Sequence, residues 1–306
     1  MGAQLRVYRR RIRSVQATKK ITKAMELIAS SKIVKAQQQL NAARPYAQQL
    51  FSAVSLAAEH SAAPGNHPLT AAPRLRERAA VLVITADRGL AGAYSYNALK
   101  EYQALVRLLE EQGMTVVPFA VGKKAVSYFR FRGREVADSW IGISDQPTYE
   151  DAKAIAASLL EIFLRRTEEG GCDFIYVVGT RYVSRVTQSA RVVEILPLEV
   201  VAEETREDFD HKIFPLYDFE PSPEKVLDGL LPQYVAYVVY QALLESAASE
   251  HASRQRAMSA ATDNASELIR TLTRQANQAR QAEITQEISE IVGGADALAS
   301  ATAGSD

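Results

Sequence analysis

Groups able to do covalent or metal chemistry are few in this chain and poorly spaced for it. The four histidines, His60, His67, His211 and His251, lack metal-ligand spacing, and Cys172 is the only cysteine available to join them. A single cysteine also excludes an internal disulfide and fits a reducing compartment. No Ser, His and acid cluster is suggested, and "EPSPE" (220–224) reads as a linker rather than as a catalytic carboxylate pair. "DRGLAGAY" (87–94) follows a strand-like run and opens a helix, as a phosphate-binding loop does. It has neither G-x-G-x-x-G spacing nor a Walker lysine, and strand-to-helix turns use glycine for geometry alone. "NAS" at Asn264 fits a glycosylation pattern but lies in a helical stretch. The reading is a chain without a catalytic site, cofactor or metal of its own.

What is concentrated is charge. Residues 1–44 carry eleven Lys or Arg (Arg6, Arg9, Arg10, Arg11, Arg13, Lys19, Lys20, Lys23, Lys32, Lys35 and Arg44) against one acid, Glu26, in a chain of formal charge zero. A helix that is merely solvated mixes signs for i,i+4 pairing, and this one does not. The imbalance predicts a charged partner. Nucleic acid is one alternative, but that reading wants aromatic side chains beside the cations, and only Tyr8 is near. A small-molecule enzyme carried on a helical stalk is another.

The elements that must display this charge are two long helices. Residues 3–59 contain one proline, Pro45, no glycine, and abundant Ala, Gln, Lys and Leu. Leu5, Ile12, Val15, Ile21, Met25, Ile28, Ile33 and Leu40 form a narrow apolar stripe, which suits a coiled-coil seam. Residues 61–73 break the helix with three prolines. Strand-like runs then fall at 79–86, 114–121, 172–179 and 191–198, alternating with helical patterns at 95–112, 123–131 and 148–168. That alternation predicts an α/β domain with a parallel sheet covered on both faces. An acidic linker follows, and from about residue 223 a second helix runs to Gly293, read as its C-cap. Its seam candidates are Leu231, Tyr234, Val238, Ala242, Ala248, Ala252, Ser259, Ser266, Ile269 and Ala276.

Helices of that length would measure roughly 80 and 100 Å, while a compact chain of this size has a radius of gyration of about 19 Å. They cannot fold back inside one globule. The expected architecture is an antiparallel coiled coil of the N- and C-terminal helices, projecting as a rod from a Rossmann-like α/β domain. The boundaries read as a first helix over 1–59, the α/β domain over 74–200, a linker over 201–224, the second helix and tip over 225–298, and a disordered tail over 299–306. The second helix is the longer, so its tip, with Ile284, Ile288, Ile291 and Val292 apolar, overhangs without a partner helix. No apolar run reaches the roughly 20 residues that span a bilayer.

"ITKAMELIASSK" (21–32), "RPYA" (44–47), "TADRGLAGAYSYN" (85–97), "ASEHASRQRAMSAATDNASELI" (248–269) and "QARQAEITQEISEIVGGADAL" (278–298) resemble the gamma subunit of F-type ATP synthase, in order and over essentially the whole chain. The resemblance implies a central shaft inside a hexamer of alternating alpha and beta subunits. It also implies a body near the epsilon subunit and the ring of c subunits, and rotation that couples proton flow to ATP synthesis on beta. Its basic helix would face acidic loops of beta. It further implies that Met25 is a coupling residue beside the cations Lys20 and Lys23. Arg254, Arg280, Gln281, Thr285 and Glu290 would be polar contacts with beta, and the tip at Ile288, Ile291 and Val292 would sit in an apolar sleeve. The implied location is peripheral, on the cytoplasmic face of a bacterial plasma membrane. Two departures matter. Ala91 stands where some members carry Cys, and the regulatory two-cysteine insertion of the chloroplast form is missing, so thiol control is not expected.

Overall fold

The computed structural model describes residues 2–60, 69–70, 76–198, 219–220 and 222–303. The expected linker and most of the first loop lie outside these residues. Two compact units form, Ala29–Gln255 and Met1–Ile28 with Arg256–Asp306. Their boundary therefore cuts through both long helices, α1 (Gly2–His60) and α5 (Pro223–Ala303), rather than falling at helix ends.

In the larger unit the core explains that division. The sheet comprises β1 (Arg78–Ile84), β2 (Thr115–Val121), β3 (Asp138–Trp140), β4 (Phe174–Tyr182) and β5 (Gln188–Leu196) in the order β3-β2-β1-β4-β5. Alternate residues of β1 point to opposite faces. Ala79, Val81 and Val83 pack with Tyr102, Leu105, Leu109 and Phe129 of α2 (Tyr94–Glu111) and α3 (Lys123–Phe131). Ala80, Leu82 and Ile84 pack with Ile155 and Leu159 of α4 (Tyr149–Leu164), and in the same cluster lie Ala57 of α1 and Leu231, Val235, Val239 and Leu243 of α5. Each large aliphatic side chain buried this way contributes about 1.5–3 kcal/mol. The inner halves of the long helices are thus the cover of one sheet face.

The sheet is mixed, which corrects the parallel expectation. β1, β2, β3 and β4 run parallel, but β5 pairs antiparallel with β4, from Ile175 against Leu196 to Tyr182 against Gln188. The strands extend well past their apolar cores, leaving only residues 183–187 between them, too few for a parallel crossover. Two further details fix local geometry. Thr148 and Asp151 form a reciprocal capping box at the start of α4. Gly122, at φ +89°, lets the β2–α3 turn pass against Thr85, whose carbonyl oxygen would lie 2.2 Å from any Cβ there.

α1 and α5 run antiparallel within each unit. In the larger one, Tyr237 donates to the Ala43 carbonyl at 3.0 Å, and the Phe51 and Tyr234 rings meet tilted at 40° with centroids 6.4 Å apart. In the smaller one, the Thr22 and Thr262 hydroxyls meet at 2.7 Å, and Gln16 and Lys19 lie beside Ile269. The positions of α1 withdrawn from solvent include Leu5, Tyr8, Ile12, Val15, Lys19, Thr22, Glu26, Ala29, Ile33 and Ala36, a strict alternation of three and four. Ile21 and Ile28, expected in the seam, are instead 60% and 57% exposed. On α5 the buried line runs through Met258, Thr262, Ala265, Leu272 and Ala276. Helix continues through Gly293 and Gly294 to Ala303, so neither the C-cap nor the break before the tail is found. A glycine inside a helix costs about 1 kcal/mol but does not by itself end it.

Candidate functional site

Three features carry the side chains singled out by sequence. The first is the basic face of α1 in the smaller unit. Lys20 and Lys23 are exposed, Met25 is half-buried one turn on, and Lys23 pairs with Glu26 at 3.2 Å. Around them a groove of about 780 Å³ is lined by Gln16, Lys19, Lys20, Lys23, Ala24, Leu27 and Ile269. Its floor is apolar and its rim holds three ammonium groups. A surface of that kind attracts a carboxylate-bearing segment and buries aliphatic side chains beneath it.

The second is the end of α5, also in the smaller unit. Glu283 is half-buried, and every residue from Ile284 to Ala295 is exposed. Ile288, Ile291 and Val292 are 56%, 71% and 54% exposed, and Arg280, Gln281, Thr285 and Glu290 lie open beside them. Helical hydrogen bonding holds these residues without tertiary support: Thr285 donates to the Gln281 carbonyl at 2.9 Å, and Gln286 bonds Glu290 at 2.9 Å. Exposed isoleucines in a row mark a surface that another chain covers.

The third feature, in the larger unit, lies at the carboxyl ends of the parallel strands. In doubly wound folds that crevice, at the switch point between β1 and β4 here, is where ligands bind. In this chain α5 fills it. Ser246 accepts from the Thr180 amide at 3.2 Å and Ser249 donates to the Thr180 carbonyl at 3.1 Å. Arg254 pairs with Glu250 at 2.5 Å and reaches the Gly89 carbonyl at 3.4 Å. "DRGLAGAY" is therefore occupied by a guanidinium of its own chain, where a phosphate-binding loop would hold its ligand.

Asp87 and Asp145 organise the loops around this plug. Asp87 accepts from the backbone N–H groups of Lys123 at 3.0 Å, Gly142 at 2.8 Å and Ser144 at 3.1 Å. Burial opposes its ionisation, but these donors outweigh burial and hold its carboxyl below the usual range. Asp145 forms an ion pair with Lys32 of α1, and His251 Nε2 lies 3.1 Å from its carbonyl and 3.5 Å from its carboxylate. Burial is again outweighed, chiefly by the Lys32 bond and the charge of His251, and the Asp145 carboxyl is held low. His251 is only 2% exposed, and burial pushes its imidazole below its ordinary value. Glu250 is raised by burial, with Arg254 opposing. Cys172 is also buried and its thiol is pushed up to about 11, far from a reactive thiolate. Among the described residues, no group of His, Cys, Asp and Glu is arranged to hold a metal, and no helix is long and apolar enough to cross a membrane.

A family model described as ATP synthase matches residues 4–298. An ATP synthase gamma chain from Thermobifida fusca is 56% identical over 313 residues, covering 100% of both chains. The chain belongs to the ATP synthase gamma chain family. A second gamma chain, from Acidothermus cellulolyticus, is 57% identical over 298 residues, covering 97% of this chain and 98% of that one. The central stalk and c-ring structure of Tetrahymena thermophila mitochondrial ATP synthase contains a chain 25% identical to this one, with TM-score 0.54, covering 79% of this chain and 99% of that one. A chain of the Euglena gracilis mitochondrial enzyme, 19% identical with TM-score 0.64, shares the fold over 97% of this chain and 95% of that one.

Within this gamma chain fold, Lys20, Lys23, Arg280, Gln281, Thr285, Glu290, Ile288, Ile291 and Val292 are on the surface, where contact with a partner requires them. Arg254 is not. At 8% exposure its charge is spent inside the chain, which removes it from the outward-facing set. Asp145 and Glu250 were not singled out by sequence, and Lys32 and His251 were named only as one of eleven cations and one of four histidines without metal-ligand spacing. A signal for Glu250 and His251 was the run Glu250, His251, Arg254 inside an otherwise small-residue stretch, where one turn of helix carries an acid, an imidazole and a guanidinium.

Proposed function

We propose that the chain is the central-stalk rotor of an F-type ATP synthase, peripheral to the membrane on the cytoplasmic side of a bacterial plasma membrane. It contributes no catalytic site. Its partners are three alpha and three beta subunits around the helices, and the epsilon subunit and c ring at the α/β unit. Rotation driven by ion flow through the membrane sector changes the beta sites in turn, which couples that flow to ATP synthesis.

The observation that carries this reading is full-length membership of the gamma chain family together with a stretch of α5, residues 284–295, that is helical and exposed throughout. Lys20 and Lys23 supply the charge that meets acidic loops of beta, and Met25 reports the closeness of that contact. Arg280, Gln281, Thr285 and Glu290 contact beta higher on α5, and Ile288, Ile291 and Val292 turn in an apolar sleeve. Arg254 acts from inside the chain. The basic helix invites the nucleic-acid alternative, but no observation favours it.

Co-expression with alpha and beta subunits tests the reading. The full chain should assemble a 3:3:1 complex and raise ATP turnover, and a chain truncated before Gln278 should assemble yet turn over more slowly. Alpha and beta subunits that ignore the chain would contradict it.

A further inference from the structure

A rotor must turn as one piece, so torque has to pass between the α/β sheet and the long helices inside the larger unit. Apolar packing there resists separation but is weakly directional. Hydrogen-bonded charge pairs have fixed geometry. Among the described residues one aspartate, Asp145, touches both helices from the loops at the sheet's carboxyl edge. Asp145 lies on the loop between β3 and α4, which Asp87 ties to the start of α3 through Lys123, Gly142 and Ser144. From that loop the Asp145 carboxylate pairs with Lys32 of α1, and the Asp145 backbone carbonyl lies 3.1 Å from His251 Nε2 of α5, with the carboxylate 3.5 Å away. The Arg254 charge also acts on it, from one turn further along α5.

We propose that Asp145 is the positioning residue through which the α/β sheet transmits torque to both helices, with Lys32 and His251 as its two arms. The inference rests on the rotor reading. It assigns a mechanical role to the β3–α4 loop of the larger unit. An isolated surface pair would be a poor link, because it rearranges freely in water. Here Lys32 and Asp145 are about three-quarters covered and His251 is buried, so the three side chains have few alternative positions.

The test uses the complete membrane-bound synthase carrying Asp145→Asn, Asp145→Glu or Lys32→Met. Two rates are measured in the same vesicles, ATP hydrolysis and ATP-driven proton pumping. Asp145→Asn should lower protons pumped per ATP at least two-fold while hydrolysis stays within two-fold of wild type, and Asp145→Glu should restore most of the ratio. Lys32→Met removes the same ion pair from the α1 side, should lower the ratio likewise, and remains informative if Asp145→Asn does not assemble. An unchanged ratio in both Asp145→Asn and Lys32→Met, or hydrolysis and pumping falling in proportion, would overturn the inference. A wild-type chain that supports no pumping at all would instead overturn the rotor reading.

Discussion

Thr22 and Thr262, 240 residues apart in sequence, place their hydroxyls 2.7 Å apart inside the helix–helix seam. The seam elsewhere is largely apolar, so this pair can align only in one register. Thr262 donates to the Met258 carbonyl at 2.8 Å, which leaves the Thr22 proton to donate to Thr262 rather than to the Lys19 carbonyl 3.1 Å away. The relationship is a pin against axial sliding. Replacing one threonine by valine should cost about 1 kcal/mol. Replacing both should be close to neutral for stability while loosening the register. Denaturant unfolding of the two single variants and the double variant measures the coupling, and additive losses would show that the hydroxyls do not act as a pair.

Gly122 and Gly133 both have positive φ, +89° and +62°, but only Gly122 faces an obstacle. The Thr85 carbonyl that a Cβ would strike belongs to a segment fixed by Thr85 N–H and Oγ donating to Val121, each at 2.9 Å. Gly122→Ala should therefore destabilise by about 3 kcal/mol, and Gly133→Ala by about 1 kcal/mol. Thermal unfolding of the two variants side by side checks the difference.

Arg254 and Arg280 were read alike from sequence and differ in the fold. Arg254→Met leaves the Glu250 carboxylate buried without its partner and should cost about 3–5 kcal/mol. Arg280→Ala should leave Tm unchanged and lower ATP turnover in the assembled complex. Tm and turnover measured on both variants separate an internal role from an outward one.

His251 predicts a pH dependence with a definite sign. Its neighbours are Lys32 from α1, Asp145 from the β3–α4 loop, and Glu250 and Arg254 on its own helix. Its folded value lies below 6.5, so above about pH 6.5 it is neutral in both folded and unfolded chains. As pH falls the unfolded chain takes up the proton first, and the stability this site contributes is lost as pH drops through the lowered folded value. The carboxylates Asp87 and Asp145 lose their contribution only below the ordinary value of 3.8. Unfolding free energy measured from pH 7.5 to 5 should decline, and His251→Gln should flatten that decline.

The sequence was a good guide wherever one local pattern decided the structure. Lys123–Phe131 matches the predicted helix at both ends, and α2 and α4 differ from prediction by a residue or a few, because periodicity and caps set them. It was a poor guide wherever distant chain decides. β3 has three residues and no pattern of its own, existing only because β2 offers an open edge. The antiparallel β5 was hidden because the ends of the hairpin strands are polar, as in "TRY" and "QSAR". In the seam, apolar Ile21 and Ile28 face outward while Thr22 is buried, because the heptad phase is set by Thr262 on the other helix. Arg254 looks like any surface cation until the loop carbonyls it meets are in place.

Rotation of the chain can be watched directly. A bead attached through Leu108→Cys, on the exposed side of α2, would report the motion of the α/β unit in surface-fixed 3:3:1 complexes, and the native Cys172 is too buried to compete for the label. ATP should drive rotation in one direction that stops when ATP is removed. Complexes that assemble and hydrolyse ATP while the bead stays still would contradict the rotor account.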